Sequence, residues 1–147
     1  MKIAIGCDHG GFDLKEPVIG HLKALGHEVV DFGTNSTESC DYPVFGRAVA
    51  YAVKNGECEC GILICGTGLG ISIAANKVKG IRAACCSDAT SAKLCRMHNN
   101  ANILAFGARI VGRELAFDIV DAYLGAQFEG GRHQRRIDLI SDIENEQ

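Results

Sequence analysis

The sequence predicts an α/β fold. A single domain carries an open, parallel, five-stranded sheet with helices on both faces (Rossmann-like, α/β/α) and an extra C-terminal helix. Three observations lead there. Short aliphatic runs alternate five times with stretches of helical apolar spacing. Such alternation builds parallel sheets whose crossovers cover both faces. The 147 residues suit one core, and aliphatic side chains are plentiful while only 6% are aromatic and Trp is absent, as in a small sheet under helices.

Each element follows from local chemistry. Residues 2–7 read as a strand. Phe12, Leu14, Val18, Ile19, Leu22 and Leu25 recur at helical spacing, and Gly26 supplies a stop. Residues 27–32 form the second strand, followed by a polar loop over 33–40. Asp41-Tyr42-Pro43 starts a helix, since proline suits the first turn. It runs to about residue 54 with Val44, Ala48, Val49 and Ala52 inward. The apolar run 61–65 is the third strand, and a helix spans about 69–79. Residues 81–86 are a strand, 88 to about 97 a helix, and 102–105 a short strand. A helix over about 113–124 places Leu115, Ile119, Val120 and Tyr123 on one side. A last helix covers about 133–143. Gly130-Gly131 sets it off, so it is expected to reach from the body onto a second subunit.

Composition excludes several partners. Net charge is −3 and the pI about 5.9, so nothing draws the chain toward nucleic acid or a membrane surface. No apolar run approaches the roughly 20 residues a bilayer span needs. The N-terminal residues read as a strand rather than a signal peptide, and a cytoplasmic location is expected. The eight cysteines contain no C-x-x-C pair and no zinc spacing, so a disulfide framework is not expected. Most of them read as small buried hydrophobes.

In open parallel sheets ligands bind beyond the C-terminal strand ends. That rule gathers Cys7-Asp8-His9, Cys65-Gly66-Thr67, Ser87-Asp88 and Phe106-Gly107-Ala108-Arg109. The run Cys65-Gly66-Thr67-Gly68-Leu69-Gly70 is the most informative. Its glycines let backbone N–H groups approach a ligand, and the following helix N-terminus favours negative charge. It is neither a dinucleotide fingerprint, since Ile71 stands where a third glycine is needed, nor a P-loop, since no Lys-Ser/Thr follows. Cys65 is either a buried strand end or a thiol whose pKa the helix N-terminus lowers. Thr67 either caps that helix or offers its hydroxyl to a ligand. Asp8 and His9 are either a loop cap and a solvated ring or site residues. His98 and Asn99 lie between a helix and the fifth strand, where a helix C-terminus favours a charged imidazole.

Arg132 and Arg136 are four apart in the one basic cluster, and guanidinium pairs suit phosphate. Arg109 and Arg113 share that spacing, although Gly112 weakens a helical reading there. A phosphorylated substrate with one end on arginines and the other against the Gly66–Gly70 amides would lie within reach of Cys65. Amides aimed at an enediolate and a thiolate at the adjacent carbon suit aldose–ketose isomerisation.

The residues Gly6-Cys7-Asp8-His9, Asp41-Tyr42-Pro43, the run from Ile64 to Lys77, His98-Asn99, Gly107-Ala108-Arg109 and Gly130-Gly131-Arg132-His133 together resemble the type B ribose-5-phosphate isomerases. The wider family includes allose-6-phosphate and galactose-6-phosphate isomerases. The resemblance implies interconversion of D-ribose 5-phosphate and D-ribulose 5-phosphate through a cis-enediolate, with no metal or organic cofactor. It makes Cys65 the base that moves the proton between C1 and C2, and Thr67 the hydroxyl that assists between O1 and O2. His98 opens the furanose ring, helped by Asp8. The amides of Gly66, Gly68, Leu69 and Gly70 cradle the enediolate. His9, Arg132 and Arg136 hold phosphate, Asn99 and Arg109 touch the substrate, and Tyr42 walls the pocket. The family implies a homodimer or dimer of dimers with sites shared between subunits. Some members carry a glutamate at or near Ala74 and lack the cysteine; Cys65 with Ala74-Ala75 follows the cysteine branch.

Three other readings compete. A hexose-6-phosphate isomerase would use the same residues. A non-catalytic sugar-phosphate or nucleotide sensor would not need Cys65, Thr67 and His98 together. A cysteine phosphatase would need an arginine shortly after the cysteine, and none occurs from Gly66 to Ala75.

Overall fold

A computed structural model describes residues 1–147. Five apolar runs form parallel strands: β1 (Lys2–Cys7), β2 (Glu28–Asp31), β3 (Cys60–Cys65), β4 (Ala83–Cys85) and β5 (Ile103–Gly107). Six helices accompany them: α1 (Phe12–Ala24), α2 (Tyr42–Lys54), α3 (Leu69–Asn76), α4 (Ala89–Asn99), α5 (Arg113–Leu124) and α6 (Arg132–Asn145). The sheet order is β2-β1-β3-β5-β4. β3 and β5 are buried along their whole length, as is β1 after Lys2, and this is why they read as continuous apolar runs. The edge strands β2 and β4 are short and partly exposed.

Two apolar layers enclose the sheet. One cluster of 21 buried residues lies under α1, α4 and α5, with Ile5, Ile62, Leu104 and Phe106 pointing into it from the strands. The other, of 13 residues, lies under α2 and α3, with Ala4, Leu63, Cys65 and Ala105 on that face. The alternation of neighbouring strand residues between the two clusters is the two-residue period of a strand covered on both sides.

Several expected boundaries move. α3 ends at Asn76, whose side chain donates to Ala83 O (2.9 Å) and accepts from Ala83 N (2.7 Å), so the chain turns there instead of continuing to 79. β4 keeps only residues 83–85 of the expected 81–86, because the Arg82 N–H is taken by the Asn102 side chain (2.8 Å). α4 runs on to Asn99 and stops where Asn100 turns left-handed (φ 44°), so His98 and Asn99 belong to its last turn. β5 extends to Gly107 through its pairing with Cys65. Val44, expected inward, is 63% exposed, and Leu115 also faces outward. α6 does not leave the body: His133 and Ile137 bury its inner side, and Glu144 accepts the Gly80 N–H (3.2 Å). Leu139, Ile140 and Ile143 remain on its exposed side.

Candidate active site

Chain direction fixes where the site must be. From β1 the chain crosses by α1 to β2 on one side; from β3 it crosses by α3 toward β4 on the other. β1 and β3 are neighbours, so a crevice opens between their C-terminal ends, where ligands bind in such sheets. Asp8 continues the ladder by donating its N–H to Ile64 O (3.3 Å). Asp8, His9, Cys65 and the following turn therefore meet at one point.

The turn holds the thiol against backbone amides. Cys65 is buried, and its Sγ accepts the Gly68 N–H (3.1 Å). Gly68 takes φ +79°, a conformation disfavoured for L side chains, and a Cβ there would stand 2.7 Å from Phe106 C. Thr67 Oγ1 accepts the Leu69 N–H (3.2 Å), which leaves the hydroxyl proton free to donate. The N–H groups of Gly66, Thr67, Gly70 and Ile71 have no acceptor within the chain. For Gly70 and Ile71 this is the expected state of the first turn of a helix, while Gly66 and Thr67 lie in the turn before its N-cap, Gly68. Arg109 folds over Gly66, with Nη1 3.2 Å from where a Cβ would lie, and the Tyr42 ring covers Gly70. Leu69 is exposed at the rim.

Asp8 is buried, and its Oδ1 accepts the N–H groups of Gly10 (2.9 Å) and Gly11 (3.2 Å). That oxygen shapes the turn before α1; it does not cap the helix, whose N-cap is Gly11 with no side-chain partner. His9 Nδ1 accepts the Cys40 N–H (3.2 Å). A backbone N–H can only donate, so Nδ1 is the acceptor and Nε2 is left as the donor. His9 lines a cleft of ≈ 500 Å³ together with Thr37, Arg109 and Arg113. Two guanidiniums and an imidazole around one cleft suit an oxyanion. Arg113 was demoted by Gly112, yet Gly112 is the N-cap of α5 and lets the arginine start the helix.

The remaining candidates lie elsewhere. His98 and Asn99 end α4, and Arg82 donates to Asn99 O (3.0 Å) beside the first residues of β5. Arg132 and Arg136 are exposed on the first turns of α6. The His98 ring stacks on His133 with centroids 4.4 Å apart, so these residues form one group. Cys65 pairs with Gly107 at the opposite end of β5 from Ile103. Four strand steps separate those ends by roughly 13 Å. One chain therefore brings Asp8, His9, Tyr42, Cys65–Gly70 and Arg109 together, and places His98, Asn99, Arg132 and Arg136 at the far edge of the sheet. Glu129, not singled out from sequence, faces both imidazoles of that second group. Burial, then the charges of His98 and Arg132, lowers the His133 pKa, while Glu129 opposes the shift.

Cys7 and Cys60 are buried within the core. Burial pushes Cys7 and Cys60 up to about 12. All eight cysteines are unpaired, and Cys85 is the exposed one.

Fold and geometry define a class: a doubly wound α/β domain with a thiol and unengaged backbone amides at the switch point of its sheet. The chain belongs to the Ribose/Galactose Isomerase family, whose model matches residues 3–140. It is 61% identical over 143 residues to Ribose-5-phosphate isomerase B of Escherichia coli (strain K12), covering 97% of this chain and 96% of that one. The solved Clostridium thermocellum Ribose-5-Phosphate Isomerase B superposes with a TM-score of 0.99 at 60% identity, over 99% of both chains. Ribose-5-phosphate Isomerase B from Mycoplasma genitalium, solved with bound ribulose-5-phosphate, superposes with a TM-score of 0.94 at 48% identity. That match covers 99% of this chain and 97% of the other.

Proposed function

We propose that this chain interconverts D-ribose 5-phosphate and D-ribulose 5-phosphate through a cis-enediolate. The observation that carries the reading is the Cys65 turn, where a thiol and four unengaged amides meet at the β1/β3 crevice. The names of relatives at 61% and 60% identity support the substrate. The Cys65 sulfur takes the C2 proton of the open-chain aldose and returns it to C1. Charge gathering on O1 and O2 meets the Gly66, Thr67, Gly70 and Ile71 N–H groups. The Gly68 and Leu69 amides, expected in that cradle, are instead taken by Cys65 Sγ and Thr67 Oγ1 and shape the turn around it. The Thr67 hydroxyl carries the proton from O2 to O1. His98, helped by Asp8, opens the furanose ring. His9, Arg132 and Arg136 hold phosphate, Arg109 and Asn99 contact the sugar, and Tyr42 walls the pocket. The net change is a proton moved between neighbouring carbons and another between their oxygens, so the chemistry calls for no redox partner or organic cofactor.

The two groups at opposite sheet edges complete one site only if a second copy supplies the far group, so the working unit is a homodimer or a dimer of dimers. Exposed Val44, Leu69 and Ile73 on one side, with Leu139, Ile140 and Ile143 on α6, offer apolar surface for it. Eight unpaired thiols suit a reducing cytoplasm. No helix is long and apolar enough to cross a membrane.

The test is turnover of D-ribose 5-phosphate and, in parallel, D-allose 6-phosphate by the wild type and Cys65→Ala. Cys65-dependent conversion with higher kcat/KM for the pentose is expected. A higher value for the hexose would favour the hexose reading, and conversion of neither would favour the sensor.

A further inference from the structure

We propose that His98, Glu129 and His133 form a binding site for a borderline divalent cation of the Zn²⁺ type, occupied in competition with the work of His98. The three side chains converge. The His98 and His133 rings stack nearly parallel, 9° apart in plane. Both turn Nε2 toward one carboxylate, at 3.6 Å (His98 to Oε1) and 3.8 Å (His133 to Oε2). All three ligand atoms lie within 4.8 Å of one another.

Those separations are too long for hydrogen bonds, so neither ring is satisfied by the carboxylate it faces. They are close to what an ion needs. Ligands about 2.0–2.1 Å from a tetrahedral ion stand roughly 3.3–3.4 Å apart. The carboxylate is within a few tenths of an ångström of that from each imidazole. With the ligand atoms spread over up to 4.8 Å, the stacked rings must rotate out of parallel to aim both nitrogens at one ion. Two imidazoles and a carboxylate select Zn²⁺, Ni²⁺ or Cu²⁺ over the hard cations Mg²⁺ and Ca²⁺. Three protein ligands leave a fourth position for water.

The scaffold is firm. His98 is held in the last turn of α4 and His133 in the first turn of α6. The Glu129 N–H donates to Met97 O (3.0 Å), and the His133 N–H to Gly130 O (3.1 Å). These bonds tie the intervening corner to the end of α4. Arg132 and Arg136 flank His133 and oppose a bare cation, which sets the affinity below that of a structural zinc site.

A nitrogen bonded to the ion cannot carry a proton. Under the isomerase reading Zn²⁺ therefore inhibits by engaging His98; that consequence rests on the reading, and the binding does not. The test uses the chelator-treated full chain at neutral pH, titrated with Co²⁺ and then Zn²⁺. One equivalent of Co²⁺ is expected to raise visible d–d bands without the near-ultraviolet sulfur-to-cobalt band, and Zn²⁺ is expected to displace it. His133→Gln and Glu129→Gln, each shown to be folded by circular dichroism, are both expected to weaken binding roughly tenfold or more. A sulfur band, which would report cysteine ligation, overturns the site. So does unchanged affinity in both variants, or the lack of saturable binding. In the kinetic arm Zn²⁺ inhibits wild-type turnover reversibly, and His133→Gln shifts the inhibition constant by the same factor as the binding constant. Binding with no inhibition would overturn the competition with His98 and leave the ion site itself standing.

Discussion

Cys65 closes β3 and His98 closes α4, so within one chain the two side chains stand at opposite edges of the sheet. The reason is directional. Strands run toward the edge where Cys65 lies, and the helices between them run back. A residue ending a strand and a residue ending a crossover helix cannot share an edge in a parallel sheet. Every candidate follows this rule. Asp8, Cys65 and Arg109 follow strands; His98 and Asn99 end a helix, and Arg132 stands on the corner beyond the end of α5.

The Cys65 turn depends on the next strand. A Cβ on Gly107 would lie 2.5 Å from Thr67 C and Cα. Gly107→Ala is expected to push Thr67 and the Gly66 amide out of place. Such crowding costs about 1–3 kcal/mol, while misplaced reacting groups lower kcat/KM by about 10²-fold. Thermal melts and steady-state kinetics on one preparation separate the two. A melting shift with unchanged kcat/KM would show that the turn tolerates the displacement.

Local features were legible in the sequence and long-range ones were not. The Cys65 run announced strand, turn and helix because all three are contiguous and each obeys its own period. The insertion of β5 between β3 and β4 left no mark, since crossover helices look alike whichever strand they serve. Val44 kept the spacing of an inward residue yet faces outward, because periodicity marks an apolar side without saying what covers it. Glu129 passed unnoticed since its partners, His98 and His133, meet only when α6 folds back on α4. The separation of the candidate residues into groups at two sheet edges follows from topology, which no single motif encodes.

Two buried thiols set an alkaline limit. Cys7 and Cys60 have pKa values raised to about 12, mainly by burial, against an ordinary value near 9. In the unfolded chain they ionise first, so between those limits the unfolded state holds fewer protons. Their contribution to stability is full below about pH 9 and is lost as pH rises toward 12, at up to about 1.4 kcal/mol per pH unit for each thiol. The melting temperature is expected to fall from pH 9 upward, and more gently in a Cys7→Ala, Cys60→Ala double variant after correction for its neutral-pH stability. Identical slopes would assign the alkaline loss to other groups.

Lys15 is expected to act on the site from a distance. It is 1% exposed, and its Nζ donates to Asp31 Oδ2 (2.8 Å), Thr34 O (2.6 Å) and Asn35 Oδ1 (3.2 Å). It thereby anchors the start of the loop whose Cys40 N–H orients His9. Lys15→Met would leave Asp31 and Thr34 O without their cation. Breaking a buried pair costs about 3–5 kcal/mol, and the partial exposure of Asp31 puts this one at the lower end. If the loop positions His9 for phosphate, KM rises several-fold with kcat little changed. A fall in kcat alone would place the effect on the Cys65 turn.

Mixing two inactive variants tests the shared site directly. In a two-fold dimer with exchanged ends, each site joins Cys65 of one copy to His98 of the other. Cys65→Ala and His98→Asn homodimers then carry two impaired sites each. A mixed dimer concentrates both substitutions in one site and leaves the second with wild-type Cys65 and His98. Random reassembly of equal amounts gives about half mixed dimers, each half active, so about a quarter of wild-type activity returns. The recovered activity should show wild-type KM, because the restored sites are unaltered. If each chain carried a complete site of its own, mixing would give only the average of the two variants. Gentle denaturation and renaturation of the pair, with each variant alone as a control, decides between these outcomes.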